Sequence, residues 1–251
     1  MLSRLIQSDR STSRFVPLLL AALGTMTLTG CQAIVSSVPE SQVRIIAASS
    51  DSPGLDIYQG TNPLAYNLGF GTVTSYIQLN PGVYTINADM AGTKQVLSSS
   101  RATFTASTQY TVLIGNAASS LQQLTLTDQS QAAPTGQIAL RFIDQATRIN
   151  AVDVYLIPAG QKLTAVAPLL TGIAFGVNTG YLNIPNGTYS IVMVPTGTIP
   201  VSTTIAIYAG PQATYTSGSA HTVILIDQQV VSTSGLQVIT ADDFELPTAT
   251  N

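Results

Sequence analysis

Two stretches of the chain are copies of one unit, and no other feature constrains the fold as much. LGFGTVTSYIQLNPGVYTI (68–86) and IAFGVNTGYLNIPNGTYSI (173–191) align without a gap at an offset of 105. Phe70 meets Phe175, Gly71 meets Gly176, Tyr76 meets Tyr181, Gly82 meets Gly187 and Tyr84 meets Tyr189. Upstream, VRIIAASSDSPGLDIY (43–58) matches ALRFIDQATRINAVDVY (139–155) at an offset of 97, with Arg44 on Arg141, Asp56 on Asp153 and Tyr58 on Tyr155. The difference between the offsets places an insertion of eight residues in the second copy, within LIPAGQKLTAVAPLLTG. Two units, 41–128 and 137–246, follow from this, joined by a linker of turn-forming composition at 129–136 and followed by a tail at 247–251.

Each copy reads as strands. Val, Ile, Thr and Tyr are enriched, QYTVLIG (109–115) recurs as HTVILID (221–227), and turn signals come every 8–12 residues. That pattern predicts an all-β fold of two tandem antiparallel β-sandwiches, with about seven strands per unit. Asn80-Pro81-Gly82 suits a type II turn and Pro185-Asn186-Gly187 a type I′ turn. No long amphipathic helix is expected after residue 30.

The N-terminal segment has a different logic. Arg4, Arg10 and Arg14 face one acid, Asp9, and then FVPLLLAALGTM (15–26) runs without a charge. A basic segment followed by a short apolar core is the layout of a secretory signal, and the run falls short of the ~20 residues of a spanning helix. It ends in Leu28-Thr29-Gly30-Cys31, which resembles the bacterial lipobox and contains the chain's only cysteine. The resemblance implies a signal peptide at 1–30, cleavage before Cys31, a diacylglycerol on its thiol and a lipidated tether at 31–40. Gln32 is not the aspartate that marks inner-membrane retention in enteric lipoproteins, so an outer-membrane placement is preferred for a Gram-negative cell.

Without residues 1–30, Lys+Arg falls to 6 and Asp+Glu to 11, a net charge of −5. This argues against nucleic acid, which requires a basic face. Charged residues are only 8% of the chain, there is no Trp, and His221 is the sole histidine. Few groups can move protons, hold metals or attack substrates. Any Ser-His-Asp site must use His221. That residue aligns instead with Tyr110, near the start of the matching strand, as a corner aromatic whose polar tip bonds backbone, and no Gly-x-Ser-x-Gly elbow accompanies it. Asp242, Asp243 and Glu245 form an acidic cluster that reads as a solvated segment. Asp51 and Asp56 offer at most part of a calcium loop, which needs six to eight oxygens. Tyr58, Tyr76, Tyr84, Tyr155, Tyr181 and Tyr189 read as packing and cross-strand positions. No cofactor and no metal is expected.

The repeated residues resemble the bacterial envelope domain known only as domain-of-unknown-function family 4397. Asp51, Pro53, Asp56, Tyr58, Phe70, Gly71, Gly82 and Tyr84 fit its pattern in the first unit. Asp153, Tyr155, Phe175, Gly176, Gly187 and Tyr189 fit it in the second, which lacks the Ser-Pro-Asp loop. The resemblance implies an immunoglobulin-like or transthyretin-like sandwich on secreted or anchored proteins, with no assigned catalytic residues. The reading is a non-catalytic, lipid-anchored envelope protein whose sandwiches form a structural or interaction module. Its partners are the membrane through Cys31 and an envelope protein or glycan. The alternative is capture of a carbohydrate or another small ligand on exposed tyrosines or loops. The spacing of Arg44 and Asp56, repeated in Arg141 and Asp153, predicts a cross-strand ion pair in each unit, fixing strand register.

Overall fold

The computed structural model describes residues 39–229 and 235–245. The expected signal peptide with Cys31, most of the expected tether and the tail lie outside them. Sixteen strands are present among the described residues, eight in each repeat. In the first, β1 (Ser41–Ala47) lies between β4 (Ile77–Leu79) and β7 (Gln109–Gly115), with β8 (Gln122–Thr127) beyond β7. Its second layer sets β2 (Leu55–Gln59) between β3 (Asn62–Leu68) and β5 (Gly82–Met90), with β6 (Val96–Phe104) outermost.

The second repeat follows the same plan. There β9 (Gln137–Asp144) lies between β12 (Asn178–Pro185) and β15 (Ala220–Asp227), with β16 (Leu236–Phe244) beyond. Its other layer sets β10 (Val152–Pro158) between β11 (Leu170–Ile173) and β13 (Gly187–Pro195), with β14 (Tyr208–Tyr215) outermost. Among the described residues helix is confined to two short 3₁₀ turns, Ala118–Ser120 and Leu163–Ala165.

The sheets are not wholly antiparallel. β1 runs parallel to β7, and β9 parallel to β15. A parallel pair needs a long crossover, and here the β2–β6 stretch supplies it, running through the other layer except where β4 returns to pair with β1. Parallel strands covered on both faces read as continuous apolar runs. This is why VRIIA, YTVLIG and TVILI show no alternation and are buried almost throughout.

The second face of these strands is buried because the two inner sheets pack on each other. Val43, Ile45, Val112 and Ile114 point into the first sandwich with Leu55, Ile57, Ile86 and Phe104. Phe142, Val152, Val154, Met193, Val223 and Leu225 fill the second. Between the sandwiches, Ile46, Ala48 and Leu113 meet Ile143, Ile224, Ile226 and Ile239. The two repeats therefore form a four-layer stack in which they share a third core. The linker at 129–136 is pinned: Ala133 N–H donates to the Gly218 carbonyl and Gly136 N–H to Ser217 Oγ.

The glycines of the repeat divide into two kinds. Gly71 and Gly176 have φ of +79° and +85°, which favours glycine, and their N–H groups donate to the carbonyls of Ala47 and Asp144. Gly82 and Gly187 do not adopt positive φ, so the expected type II and type I′ turns are not formed. Those glycines are needed because a tyrosine ring lies over each. A Cβ would meet the Tyr84 ring at 2.9 Å and the Tyr189 ring at 3.1 Å.

Candidate functional site

The expected pairs Arg44–Asp56 and Arg141–Asp153 do not form. Each arginine lies on an inner sheet and each aspartate on an outer one, so the two strands are never neighbours. The spacing suggested a hairpin, but the chain changes layers between the two residues. Asp56 accepts the backbone N–H groups of Asn67 (2.8 Å) and Gly92 (2.9 Å). Asp153 accepts those of Gly172 (2.9 Å) and Gly197 (3.0 Å). Both aspartates tie down loops.

The arginines instead cross between the repeats. Arg44 Nη2 donates to Asp243 Oδ1 of the second sandwich, and Arg141 Nη2 donates to Asp128 Oδ1, at the end of the first, at 2.6 Å. The remaining contacts repeat with the same symmetry. Arg44 Nε donates to Thr111 Oγ1 at 2.8 Å and Arg141 Nε to Thr222 Oγ1 at 3.0 Å. Each threonine passes its own proton on: Thr111 to Asp128 Oδ2 at 2.6 Å, Thr222 to Asp243 Oδ2 at 2.7 Å. Tyr76 OH donates to Asp128 Oδ2 and Tyr181 OH to Asp243 Oδ2, both at 2.8 Å. The same tyrosine rings lie 5.0 Å and 4.6 Å from the guanidinium carbons of Arg44 and Arg141. Finally, Arg44 Nη1 reaches the carbonyl of Asp242 and Arg141 Nη1 that of Thr127.

Two cations and two anions thus close a neutral, buried ring across a pseudo-twofold axis, and every carboxylate oxygen in it has a donor. That is the condition under which buried charge is tolerated. Burial alone would lower the Arg44 pKa, but Asp243 and then Asp128 outweigh it and hold the guanidinium charged. Burial, then the charge of Asp128, pushes the Tyr76 phenol up, and burial followed by Asp243 does the same to Tyr181. Both tyrosines therefore remain proton donors. Tyr76 and Tyr181 are read in the sequence as packing residues; the structure adds their part in this latch.

His221 lies beside the latch. Its Nδ1 is 2.8 Å from Asp242 Oδ1 and its Nε2 2.9 Å from Ser219 Oγ. The order Ser-His-Asp is that of a hydrolase triad, but Ser219 is 1% exposed and its hydroxyl donates to the Thr216 carbonyl. A nucleophile cannot be shielded from substrate and committed to backbone. The His221 ring packs as a corner aromatic, edge-on to Tyr215 at 5.2 Å as Tyr110 sits on Phe104 at 5.1 Å, but the expected bond of its tip to backbone is made only by Tyr110, whose hydroxyl accepts the Thr105 N–H; both His221 nitrogens meet side chains instead. His221, Asp242 and Glu245 bring ligand atoms within 4.8 Å of one another, too few for the calcium sets that Asp residues build. Asp243, expected on a solvated segment, is buried in the latch.

At the other end of the shared core a cleft of about 160 Å³ is lined by Ala48, Ser50 and Asp51 from one repeat and Gln145, Thr147 and Arg148 from the other. Asp51 accepts the Ala118 N–H at 2.9 Å, while Asp56 accepts the Asn67 N–H, so each ties down a different loop. Beside the cleft, burial holds the Asp144 pKa up at about 6, with Asp227 adding to the rise. A carboxyl raised when folded binds its proton more tightly than the unfolded chain does, so stability falls as pH rises from about 4 to about 6. Asp144→Asn keeps an acceptor for the Ala146 N–H. It is expected to be more stable than the parent by about 1–3 kcal/mol above pH 6, with the gap closing below about pH 4. Urea unfolding of both proteins across that range is the check.

No curated protein matches the chain. Among solved structures, the Bacillus anthracis TIE protein is similar at 9% identity and a TM-score of 0.23, over 75% of this chain and 34% of that one. A family-26 carbohydrate-binding module of Eubacterium rectale Amy13K, solved with maltoheptaose, is similar at 11% identity and a TM-score of 0.24, over 81% and 98%. The chain thus spans about a third of the first and nearly all of the second. The family model for the domain of unknown function DUF4397 matches residues 41–155, from the first strand of the first sandwich into the second strand of the next, so that stretch is similar to that family.

Proposed function

We propose that this is a non-catalytic, lipid-anchored protein of the cell envelope, held in the outer membrane where there is one, whose paired sandwiches act as one rigid structural or interaction module. The observation that carries the module reading is the latch. A chain with so few charges commits two arginines and two aspartates to joining its repeats, and none of the four is left to face a substrate. The anchor rests on the sequence alone, on the basic and apolar segments that precede Leu28-Thr29-Gly30-Cys31. One acyl chain binds a bilayer only marginally, while two or more hold it stably, so a diacylated Cys31 thiol suffices.

Cys31→Ser is expected to abolish incorporation of labelled palmitate and to move the protein from the membrane to the soluble fraction. Undiminished labelling of the variant would refute the anchor. The alternative, capture of a carbohydrate, draws on Tyr66, which is 62% exposed beside Tyr58.

A further inference from the structure

We infer that the outer face of the β3-β2-β5-β6 sheet binds a neutral saccharide. Leu55, Ile57, Ile86 and Ala88 point inward. Side chains alternate along a strand, so Asp56, Tyr58, Asn87 and Asp89 lie on the outer side of the sheet, with Asp56 (6% exposed) and Asp89 (9% exposed) buried beneath it and Tyr58 and Asn87 more open. Their cross-strand pairing confirms one surface: Asp56 lies opposite Asp89 and Tyr58 opposite Asn87. Ser99 extends it, donating to Asn87 Oδ1 at 2.7 Å. Tyr66 meets Tyr58 edge to face at 6.1 Å.

The second sandwich is the internal comparison. In the same register Tyr155 lies opposite Val192 and Asp153 opposite Val194, with Ala209 next to Val192. That face is apolar, and it is covered. Leu163 and Val166 of the inserted segment, with Ala206, pack on Tyr155, Ile157 and Val194, and leave Tyr155 only 3% exposed. The eight extra residues of the second copy are therefore a lid over this face. The first copy lacks the lid and carries Asn87, Asp89 and Ser99 where the second has Val192, Val194 and Ala209.

One of those polar groups has no internal purpose. Asp89 Oδ1 is buried and has no hydrogen-bond partner, beside a second carboxylate on Asp56. An orphaned buried acceptor and a like-charge cross-strand pair both cost stability, and Val194 marks the position where the fold does without them. An open tyrosine pair flanked by amide and hydroxyl groups suits a sugar ring, which offers an apolar C–H face for stacking and hydroxyls for hydrogen bonds. The two carboxylates disfavour an anionic ligand, so the saccharide is neutral.

This inference rests on the interaction-module reading. Its test is affinity electrophoresis of the full chain, purified in detergent after palmitate labelling, in native gels containing the neutral polysaccharides xylan, mixed-linkage β-glucan or amylopectin, with polygalacturonate as the anionic control. At least one polysaccharide is expected to retard the protein. Tyr66→Ala should then weaken that interaction at least tenfold, and Asn87→Val with Ser99→Ala should remove it. Tyr66 lies on an edge strand and its truncation leaves the core intact. Retardation by none of the three, retardation unchanged in Tyr66→Ala, or retardation by polygalacturonate alone would overturn the assignment. Loss of the saccharide result in a protein that still takes up palmitate rejects the site and leaves the envelope reading standing.

Discussion

Arg44→Ala is expected to lower the free energy of unfolding by about 3–5 kcal/mol, the range for breaking a buried ion pair by removing one partner. The loss is large because of what remains. Asp243 Oδ1 loses its donor and Thr111 Oγ1 loses the Nε–H, both buried, and the part-buried Asp242 carbonyl loses the Nη1–H. Asp243, whose pKa burial already pushes up against the pull of Arg44, would take up a proton in the variant at a higher pH than in the parent. Arg141→Ala should cost a similar amount, since its contacts are the same set on the other side of the axis. Chemical denaturation of the two variants reads both.

Leu113→Ala is expected to cost about 2–5 kcal/mol, as buried leucine truncations do when the cavity cannot collapse. Leu113 is fully buried, and its neighbours come from both repeats. Its counterpart Ile224 packs in the same cluster, so Ile224→Ala should fall in that range too, and the double variant should depart from additivity because the two cavities share walls. The mechanism also predicts the shape of the transition. With a third core and a charge ring between them, the sandwiches should unfold in one step, and neither variant should split the transition in two.

The strands were legible from the repeat because each copy constrains the other: a turn or aromatic found twice at one offset is seldom chance. What the sequence concealed was the order of layers. Arg44 and Asp56 stand twelve positions apart in the first copy, as Arg141 and Asp153 do in the second, and a hairpin was the simplest geometry for that spacing. The true partners, Asp128 and Asp243, stand 84 and 199 positions from Arg44. Local pattern gives no hint of such a contact.

A signal was nonetheless present. LTLTD (124–128) and VITADD (238–243) place an aspartate at the end of each repeat's last strand, and Thr111 and Thr222 align within YTVLIG and HTVILID. Carrying the alignment through the final strands would have shown four polar groups repeated on otherwise apolar faces. Polar groups on apolar strands must find partners. Eight strands per unit, against about seven expected, has a related cause: β4 and β11 are three and four residues long and carry little pattern of their own. The insertion was visible as a length difference, but nothing in its composition says which face it covers.

The account stands on the crossed pairing of arginine and aspartate between repeats, and one double-mutant cycle tests it most directly. Arg44→Ala and Asp243→Ala, alone and together, are compared by denaturant unfolding with Arg44→Ala and Asp56→Ala. The structure predicts a coupling energy of at least about 1.5 kcal/mol for Arg44 with Asp243 and none for Arg44 with Asp56. Coupling of Arg44 to Asp56, with Asp243 independent of it, would contradict the latch.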